Sequence, residues 1–528
     1  MATAPFSSPR REFDLIVIGS GIAGISAAIS AAEAGLSVAL ISKEASIFEA
    51  NTWYAQGGIV GESEDDTPEL LEGDIYHAGA DINNREAVRL LVQEGPPLVS
   101  AFLAEKVGVP FSRTGSGEID LTREAAHSVR RIYHVTDRTG QAIQTALVGY
   151  LKGVRSIEIF EDHTAVDLIT NAHHSRDSQE IYRPTRIVGA YVLDGRSATV
   201  SAFLAPSVIL STGGVGNLFL HTSNPAGATG DGIAMAHRAG AEVINAEYVQ
   251  FHPTVFYHRD VKRFLITESL RGEGARLMNR RGQYFMEKYN PKELDLAPRD
   301  EVSRAVYREM EEEDSDFVFL DARGIKNLSL EERFPGIFEQ CKAAGIDIRT
   351  EPIPVIPAAH FFCGGIKVDL NGMSSLPGLY AVGEAACTGV HGANRLASIS
   401  LLEGLYWGVR AGGDVARRAE KPPRTLVDSI PDWVEPTAVE EFDPVLVNQD
   451  FRTIQSTMWN YAGIIRSRDR LLRAQSDLNY LSHRIERFYK GARLTRRIIE
   501  LRDGVLTASI IVVAALANPT SRGCHYIE

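Results

Sequence analysis

Short apolar runs at distant points of the chain predict the strands of one parallel sheet. Residues 13–19 form such a run, and an Ala/Ile-rich stretch with helical character, residues 22–34, follows it before the next glycine. Residues 37–42 form a second run, so that strand, turn, helix and strand together predict a βαβ unit. Further runs at residues 207–210 and 379–382 also lead into glycines. We therefore expect a buried sheet assembled from distant segments.

The rest of the chain can be divided by its amino-acid composition. Residues 245–354 are richer in charged and aromatic side chains and predict a mixed α+β insertion. Residues 421–449 contain so many prolines that we expect a linker without regular structure. In residues 450–528 apolar side chains recur at helical spacing, and no proline occurs between positions 451 and 517. This last region predicts a bundle of about three helices.

The first turn of the βαβ unit has the G-x-G-x-x-G spacing of dinucleotide-binding turns. It consists of Gly19, Ser20, Gly21, Ile22, Ala23 and Gly24. The glycines suit a tight turn and a close approach to a pyrophosphate, and the helix N-terminus offers N–H donors to the phosphates. The second strand commonly ends in an acidic residue that binds the ribose. Here it ends in Ser42, followed by Lys43 and Glu44, so the ribose contact is open between Ser42 and Glu44.

Two other strand ends bear on the choice between a flavin and a nicotinamide. Residues 379–384 end in Gly-Glu, and residues 211–214 read Ser-Thr-Gly-Gly. Both segments resemble cofactor-contact motifs of FAD-dependent oxidoreductases of the glutathione-reductase type. In combination with the glycine turn they favour FAD over NAD.

Composition and charge exclude several classes of protein. The 528 residues, 44% hydrophobic and 23% charged, are those of a globular protein of two or three domains. A net charge of −13 argues against a nucleic-acid partner. The four scattered cysteines indicate a reducing, cytoplasmic setting without disulfides. The polar N-terminus lacks a secretory signal and the longest apolar stretch, residues 508–517, is too short to span a membrane, so we expect a soluble protein. No spacing typical of metal ligands occurs.

Six further blocks carry a family resemblance. They are residues 55–58 (AQGG), 250–254 (QFHPT), 267–274 (TESLRGEG), 297–300 (APRD), 360–365 (HFFCGG) and 392–398 (GANRLAS). In this order they resemble the succinate dehydrogenase/fumarate reductase flavoprotein superfamily (FAD-dependent oxidoreductase 2) and, within it, the L-aspartate oxidase family. The resemblance runs from about residue 13 to residue 523.

This resemblance implies an architecture and an activity. It implies an α/β, Rossmann-like FAD-binding domain (residues 1–244 and 355–420), an inserted α+β capping domain (245–354), a linker (421–449) and a C-terminal α-helical bundle (450–528). It implies oxidation of L-aspartate to iminosuccinate, with FAD as hydride acceptor and O2 (giving H2O2) or fumarate as electron acceptor. This reaction is the first step of de novo NAD biosynthesis toward quinolinate, and the pathway implies a transient hand-off to quinolinate synthase.

Two local features favour this family over its dicarboxylate-specific relatives. Dehydrogenase relatives carry a histidine covalently joined to FAD just before the AQGG block, where this chain has Asn51 and Thr52. We therefore expect one non-covalent FAD per chain. The block at residues 121–128 resembles the one whose glutamate, here Glu124, faces the substrate ammonium group. The alternative is a soluble fumarate reductase or succinate-oxidising flavoprotein. One departure from the family pattern is Ile399, in place of the usual Asn beside the flavin contacts.

The resemblance also assigns roles to individual residues. Arg395, His252, His360 and Thr267 are the expected ligands of the substrate carboxylates, and Glu124 is the expected ligand of its ammonium group. Arg299 resembles the superfamily's proton donor, fed by Glu268 and Arg271, although an arginine is a poor base and a purely electrostatic role stays open. The expected FAD contacts, besides the glycine turn and its neighbours Ser42 and Lys43, are Asn51, Thr52, Gln56, Gly57, Gly58, Thr212, Gly213, Gly214, Asp231, Gly383, Glu384, Ser398, Ser400 and Leu401.

The C-terminal helices contain a basic stretch, with ten Lys/Arg against three acidic residues between positions 466 and 497. Two interpretations stay open. The stretch is either a docking face for a partner, which is compatible with a non-catalytic flavoprotein scaffold, or a solvated face with some charges turned toward the acidic flavin domain.

Overall fold

The computed structural model describes residues 10–326, 328–418, 422–436 and 443–528. The strands are β1 Arg11–Glu12, β2 Leu15–Ile18, β3 Val38–Ile41, β4 Ile59–Val60, β5 Leu121–Thr122, β6 Ile132–Tyr133, β7 Ile157–Phe160, β8 His163–Thr170, β9 Ile187–Asp194, β10 Thr199–Leu204, β11 Ser207–Leu210, β12 Val243–Ile244, β13 Val249–Phe256, β14 Arg276–Met278, β15 Val318–Asp321, β16 Ile353–Phe362, β17 Gly365–Lys367, β18 Leu379–Ala381 and β19 Ala386–Cys387. The helices are α1 Ile22–Glu33, α2 Pro68–Ala78, α3 Arg85–Leu98, α4 Thr139–Leu151, α5 Asn171–His174, α6 Asp231–Ala239, α7 Glu268–Gly272, α8 Met286–Tyr289, α9 Arg299–Glu312, α10 Leu330–Arg333, α11 Pro335–Ala343, α12 Ile399–Arg418, α13 Arg424–Ser429, α14 Pro444–Ala462, α15 Arg468–Gly491 and α16 Arg496–Ala517.

A five-stranded parallel sheet forms the centre of the first domain. Its order is β18-β11-β2-β3-β7. Four of these strands are the apolar runs that the sequence predicts, although they lie as far apart as residues 15 and 381. The expected α/β fold is therefore confirmed. The fifth strand, β7, is a half-exposed edge strand, and its four residues lack the continuous apolar run that predicts the other strands.

Both faces of this sheet are covered, which explains why its strands other than β7 are largely apolar. Side chains alternate across a strand, so Leu15 and Val17 of β2 pack among α1, α4 and α12 on one face. Ile16 and Ile18 pack on the other face against the sheet β1-β10-β9-β8. Because both faces are covered, only the loops at the strand ends are accessible to a ligand. The cavity described below lies at the carboxyl ends of the strands.

The inserted region builds a second layer around an antiparallel sheet, β13-β16-β15-β14. Its apolar core runs from Phe256 to Ile356 and includes side chains of α9 and α11. The boundary expected after residue 354 falls inside β16, because this strand begins in the cap and continues into the first domain. The first half of β13 likewise packs with the C-terminal helices, through Val249 and Phe251.

Helices α14, α15 and α16 pack against one another and form the C-terminal bundle. The expectation of a structureless linker at 421–449 is wrong for part of that segment, because α13 lies within it and α14 begins at Pro444. Two of the prolines lie at helix starts, Pro423 before α13 and Pro444 in the first turn of α14, where a missing N–H costs little. Residues 421 and 437–442 of the predicted linker lie outside the described residues.

Among the described residues, none of the helices combines the length and the apolar character that crossing a bilayer requires. Helix α16, which contains the most apolar stretch of the sequence, instead packs its buried face into the C-terminal core.

Candidate functional site

A cavity of ≈ 640 Å³ lies at the carboxyl edge of the central sheet and extends beneath the cap. Its wall combines the loops after β2, β3, β11 and β18 with residues of β13, α7 and α9. All the expected cofactor and substrate residues line it, except two. Gly24 lies under the glycine turn, and Arg271 lies behind Glu268. Folding therefore brings together residues that are up to 382 positions apart in the sequence, from Gly19 to Leu401.

The glycine turn leaves no room for side chains. Gly19 has φ +117°, and a Cβ there would lie 2.1 Å from the carbonyl oxygen of Ser211, the residue after β11. A Cβ on Gly24 would lie 2.1 Å from the carbonyl oxygen of Gly19. The turn thus brings the start of α1 against the cavity with no side chain from Gly21 to cap it. Such a helix N-terminus suits a pyrophosphate.

The strand-end residues next to this turn are polar and buried. The Ser20 hydroxyl donates to Ser42 Oγ over 3.2 Å, which ties the first turn to the end of β3. The ammonium group of Lys43 pairs with the carboxylate of Asp231 at the start of α6. The side chain of Glu44, the other candidate for the ribose, is paired with Arg496 from α16, with Nη1 to Oε2 at 2.8 Å. Ser42 therefore has its hydroxyl on the cavity wall without a competing cation.

Glu384 closes the opposite side of the same edge. Its Oε1 accepts the N–H of Phe362 at 2.9 Å and its Oε2 accepts the side-chain amide of Asn51 at 3.0 Å. Burial raises the pKa of Glu384 to about 7. Thr52 accepts the N–H of Ile22 at 2.9 Å, at the start of α1. Asn51 and Thr52 thus shape the cavity through hydrogen bonds, and neither has the chemistry of a histidyl–flavin bond.

Two histidines offer hydrogen-bond donors to the part of the cavity under the cap. Burial, reinforced by neighbouring arginines, holds the pKa of His252 and that of His360 well below the usual range, so both rings are neutral. His252 Nδ1 accepts the N–H of Thr254 at 3.2 Å, and the ring therefore carries its hydrogen on Nε2. This Nε2 is buried without a partner among the described residues. His252 Nε2 can therefore donate a hydrogen bond to an anion bound in the cavity.

The tautomer of His360 follows from its neighbour Ser223, which lies 2.7 Å from His360 Nδ1. The carbonyl of Ala359 already accepts two hydrogens, from the Thr222 hydroxyl at 2.8 Å and from the Ser223 N–H at 3.0 Å. That carbonyl is also 3.5 Å from Ser223 Oγ, farther than His360 Nδ1, so we assign the hydroxyl hydrogen to Nδ1 and the ring hydrogen to Nε2. Strand β16 has a bulge at His360, since Phe361 and Ala359 pair with successive residues of β13. A bulge of this kind re-aims one side chain.

Arg395 supplies the permanent positive charge beside these rings. Its guanidinium lies 4.6 Å from the ring centre of Phe361, and Nη1 donates to Ser400 Oγ at 3.0 Å. Its Nε is buried without a partner in the described part of the chain. Burial, and then the charge of Arg299, lower the pKa of Arg395 to about 10, and the group stays charged at neutral pH. Thr267, in contrast, uses its hydroxyl to cap α7 through the N–H of Ser269.

Arg299, Glu268 and Arg271 form a buried chain of charges. Arg299 Nε donates to Glu268 Oε2 at 2.5 Å, and Arg271 Nη2 lies 3.7 Å from the same oxygen. Burial alone would raise the pKa of Glu268, but Arg299 and Arg271 outweigh it and the pKa is lowered. Glu268 is therefore ionised. Arg299 is the first residue of α9, and Arg271 lies near the end of the short helix α7.

Glu124 is the anion that faces this cluster of cations. Its Oε2 accepts the Ser398 hydroxyl at 2.6 Å, and a Cβ on Gly57 would lie 2.2 Å from its Oε1. Ser398 itself has φ +56°, a left-handed conformation that side chains rarely adopt and that points its hydroxyl at Glu124. Burial, followed by the charge of Glu268, raises the pKa of Glu124. A cation bound beside Glu124 therefore stabilises the ionised form of this carboxylate.

Sequence reasoning gave no role to two residues that organise the site. Gln250 donates to the Arg395 carbonyl at 2.8 Å and accepts from Arg299 Nη1 at 3.2 Å, so it joins the two arginines. It is two residues before His252 on β13, and this period-2 spacing was the available signal. Ser223 is 137 residues from His360, and no local pattern links them. Ile399, which departs from the family pattern, is the first residue of α12; it is fully buried in the core and is absent from the cavity wall.

Comparison with known proteins identifies the family. The model described as "FAD binding domain" matches residues 14–401, and "Fumarate reductase flavoprotein C-term" matches residues 451–528. L-aspartate oxidase of Pseudomonas aeruginosa is 41% identical over 527 residues, covering 98% of this chain and 96% of that protein. The one of Halobacterium salinarum is 42% identical over 523 residues, covering 97% and 96%. This chain belongs to the L-aspartate oxidase family.

The solved structures agree with the fold of that family. Quinol fumarate reductase of E. coli superimposes with a TM-score of 0.88 at 28% identity, covering 99% of this chain and 92% of that one. The expected family, fold and FAD cofactor are therefore confirmed. The cavity of this L-aspartate oxidase family member also suits FAD in detail, because the buried Thr212 Oγ1 and Gln56 Oε1 on its wall have no partner among the described residues.

One expected result concerns the tautomer of His360. Replacement of Ser223 by Ala removes the donor to Nδ1 and lets the ring turn its lone pair toward the substrate. We expect KM for L-aspartate to rise about tenfold, with a smaller change in kcat. Ser223→Thr keeps the hydroxyl and should restore KM. Steady-state kinetics of both variants check this, and an unchanged KM for Ser223→Ala would show that the hydroxyl does not set the tautomer.

A second expected result concerns the cap. Asp137, from the first domain, accepts the N–H of Ile337 at 3.0 Å and so caps α11 of the inserted region. Asp137→Ala should weaken the contact between α11 and the first domain by about 1 kcal/mol, raise KM about fivefold and speed hydrogen exchange in α11. The control is Glu339→Gln, which breaks an exposed ion pair with Arg138 at the same contact and should change little. Equal effects of the two variants would contradict the capping role.

Proposed function

We propose that this cavity oxidises L-aspartate to iminosuccinate, with FAD as hydride acceptor and O2, giving H2O2, or fumarate as the final electron acceptor. The observation that carries the proposal is the buried carboxylate of Glu124, which is held by the Ser398 hydroxyl, on the same cavity wall as the cationic and donor groups of Arg395, Arg299, His252 and His360. An amino-dicarboxylic acid has the complementary pattern of two anions and one cation. By its activity the enzyme would begin de novo NAD biosynthesis toward quinolinate.

The residues divide the work of holding the substrate. Arg395 with the Nε2–H donors of His252 and His360 binds carboxylate oxygens, a task to which a planar guanidinium is well suited. Glu124 accepts the ammonium hydrogens on Oε1, while Ser398 holds its other oxygen. These contacts fix the substrate carbon in one orientation, which is the main contribution a protein makes to such a reaction. Bound FAD supplies the acceptor for the hydride that leaves that carbon.

Arg299 lies where charge changes during the reaction. Its side chain is on the cavity wall, held by Glu268 and Gln250. A guanidinium fixed in this way stabilises negative charge on the substrate, and the paired Glu268 offers a route for a proton in the fumarate-reducing direction. We propose Arg299, Glu268 and Arg271 as the catalytic set, with Glu124, in the roles inferred from sequence. The expected FAD contacts from Gly19 to Leu401 belong to the same proposal.

The experiment that tests the function is peroxide production by the purified, FAD-loaded protein. We expect H2O2 and iminosuccinate from L-aspartate, with succinate and L-glutamate as poor substrates, because the first lacks the ammonium group and the second is one methylene longer. Absence of turnover with L-aspartate would overturn the proposal. Turnover of succinate in preference to L-aspartate would favour a fumarate reductase or succinate-oxidising flavoprotein, to which the solved relatives are similar.

We propose an FAD domain of residues 1–244 and 355–420, a cap of 245–354, a linker of 421–449 and a helical domain of 450–528. The FAD domain and the cap have distinct apolar cores, and the C-terminal helices share a core with strands of the FAD domain. We propose a cytoplasmic location, supported by four free, buried cysteines. We also propose that iminosuccinate is handed transiently to quinolinate synthase, since an imine hydrolyses readily in water.

A further inference from the structure

Helix α16 of the C-terminal bundle reaches the edge of the cavity where the glycine turn ends. Arg496, its first residue, donates from Nη1 to Glu44 Oε2 and to the carbonyl oxygen of Lys43, both at 2.8 Å. One turn later, Glu500 Oε1 lies 3.1 Å from Lys43 Nζ and 2.8 Å from Arg496 Nε. These contacts join residues separated by more than 450 positions in the sequence.

The cluster lies directly behind the cavity wall. Lys43, Glu44 and Asp231 line the cavity, whereas Arg496 and Glu500 do not. Burial by itself would lower the pKa of Lys43, but Asp231 and then Glu500 outweigh it, and the pKa is raised. The lysine is therefore held as a cation with its ammonium group fixed between two carboxylates. Its position after Ser42, which contacts the glycine turn through Ser20, places this cation beside the phosphate-binding helix end.

A third contact of α16 holds the other wall of this region. Thr507 donates its hydroxyl to the carbonyl of Gly230 at 3.0 Å, and Gly230 immediately precedes α6, whose first residue is Asp231. Gly230 has φ +78°, and a Cβ there would lie 2.6 Å from Thr507. Successive turns of α16 thus touch both segments that carry the charged groups of the cavity wall, the end of β3 and the start of α6.

We propose that α16 contributes to FAD binding. Its residues Arg496 and Glu500 position Lys43 and Glu44 at the adenosine diphosphate half of the cofactor. This inference rests on FAD as the cofactor of the proposed function. Arg496 neutralises Glu44, whose carboxylate would otherwise stand uncompensated on the cavity wall beside a pyrophosphate. Glu500 keeps Lys43 from swinging toward Glu44. The C-terminal bundle consequently sets how tightly the enzyme holds FAD, without touching the reacting end.

The test compares the affinity for FAD with that for FMN, which has the same reacting ring and one phosphate but no adenosine. For Arg496→Gln we expect the Kd of FAD, measured by fluorescence titration of the full-length apoprotein, to rise about tenfold. Glu500→Gln should raise it about threefold, and the Kd of FMN should change less than twofold in both variants. The matched control is Arg497→Gln, since Arg497 is the next residue and is exposed.

Compensation separates the proposed mechanism from a general loss of structure. If Arg496 acts by neutralising Glu44, the double variant Arg496→Gln/Glu44→Gln should recover most of the FAD affinity, because the uncompensated anion is gone. An unchanged Kd of FAD in the single variants, an equal loss of FMN affinity, or no recovery in the double variant would each overturn the proposal. Should Arg496→Gln not fold, Glu500→Gln with its FAD-to-FMN comparison decides alone. A wild-type protein that binds FAD but does not oxidise L-aspartate would refute the proposed function and leave this inference intact.

Discussion

Replacing Arg299 by Gln is expected to lower kcat for L-aspartate between about a hundredfold and a thousandfold, the usual effect of removing one preorganised charge from a buried reaction site. The neutral amide cannot compensate charge on the substrate. It also leaves Glu268, which accepts from Arg299 at 2.5 Å, with only the more distant Arg271 at 3.7 Å. The pKa of Glu268 should then rise, since Arg299 is the main group that holds it down. Single-turnover reduction, followed by flavin absorbance, measures the step directly.

The lysine variant tells the two roles of Arg299 apart. Arg299→Lys keeps the positive charge and should recover at least tenfold of the lost rate if the role is electrostatic. Should proton transfer be required, the lysine variant should instead show a new ionisation in its pH–rate profile. The control is Arg308→Gln, which removes a half-exposed arginine of the same helix that pairs with Glu528. Full activity of Arg299→Gln would remove this residue from the reaction.

Replacing Glu124 by Gln is expected to lower kcat/KM for L-aspartate about a hundredfold or more while reduction of fumarate by the reduced enzyme changes less than about threefold. Glutamine keeps the size of the side chain and can still accept from Ser398. Its amide hydrogens, however, then face the substrate ammonium group. Fumarate has no ammonium group and places no demand on this position. Parallel assays with both substrates measure the discrimination, and an equal loss of both activities would favour a dicarboxylate-specific flavoprotein.

The same residue predicts the acid side of the pH profile. Burial raises the pKa of Glu124, so the ionised form that accepts the ammonium group is lost as the pH falls through that raised value. We expect kcat/KM for L-aspartate to decline on this side in the wild type, and the decline to be absent in Glu124→Gln, which has no proton to gain. If kcat/KM declined in the same way in both proteins, a group other than Glu124 would be responsible for this ionisation.

Electrostatics in this site depend on a few residues that no local pattern connects. Ser398 and Glu124 are 274 positions apart, yet a 2.6 Å hydrogen bond joins them. Gln250 sits in a block that carried the family resemblance, but its contacts with both Arg299 and the Arg395 loop needed the folded chain. The proline-rich segment also needed the folded chain. A proline breaks a helix interior but is compatible with a helix start, and only the observed positions of α13 and α14 show where the helices begin.

The sequence by itself determined the parallel sheet, the glycine turn and the helical C-terminus, because each is written in the spacing of neighbouring residues. Apolar runs predict β2, β3, β11 and β18 wherever they occur, since a strand covered on both faces has no place for polar side chains. The tertiary structure alone decided which groups face the ring nitrogens of the two histidines, which oxygen of Glu124 accepts from Ser398, and that α16 reaches Lys43. These depend on distances between side chains hundreds of positions apart, and a distance in space is not encoded in any short stretch of sequence.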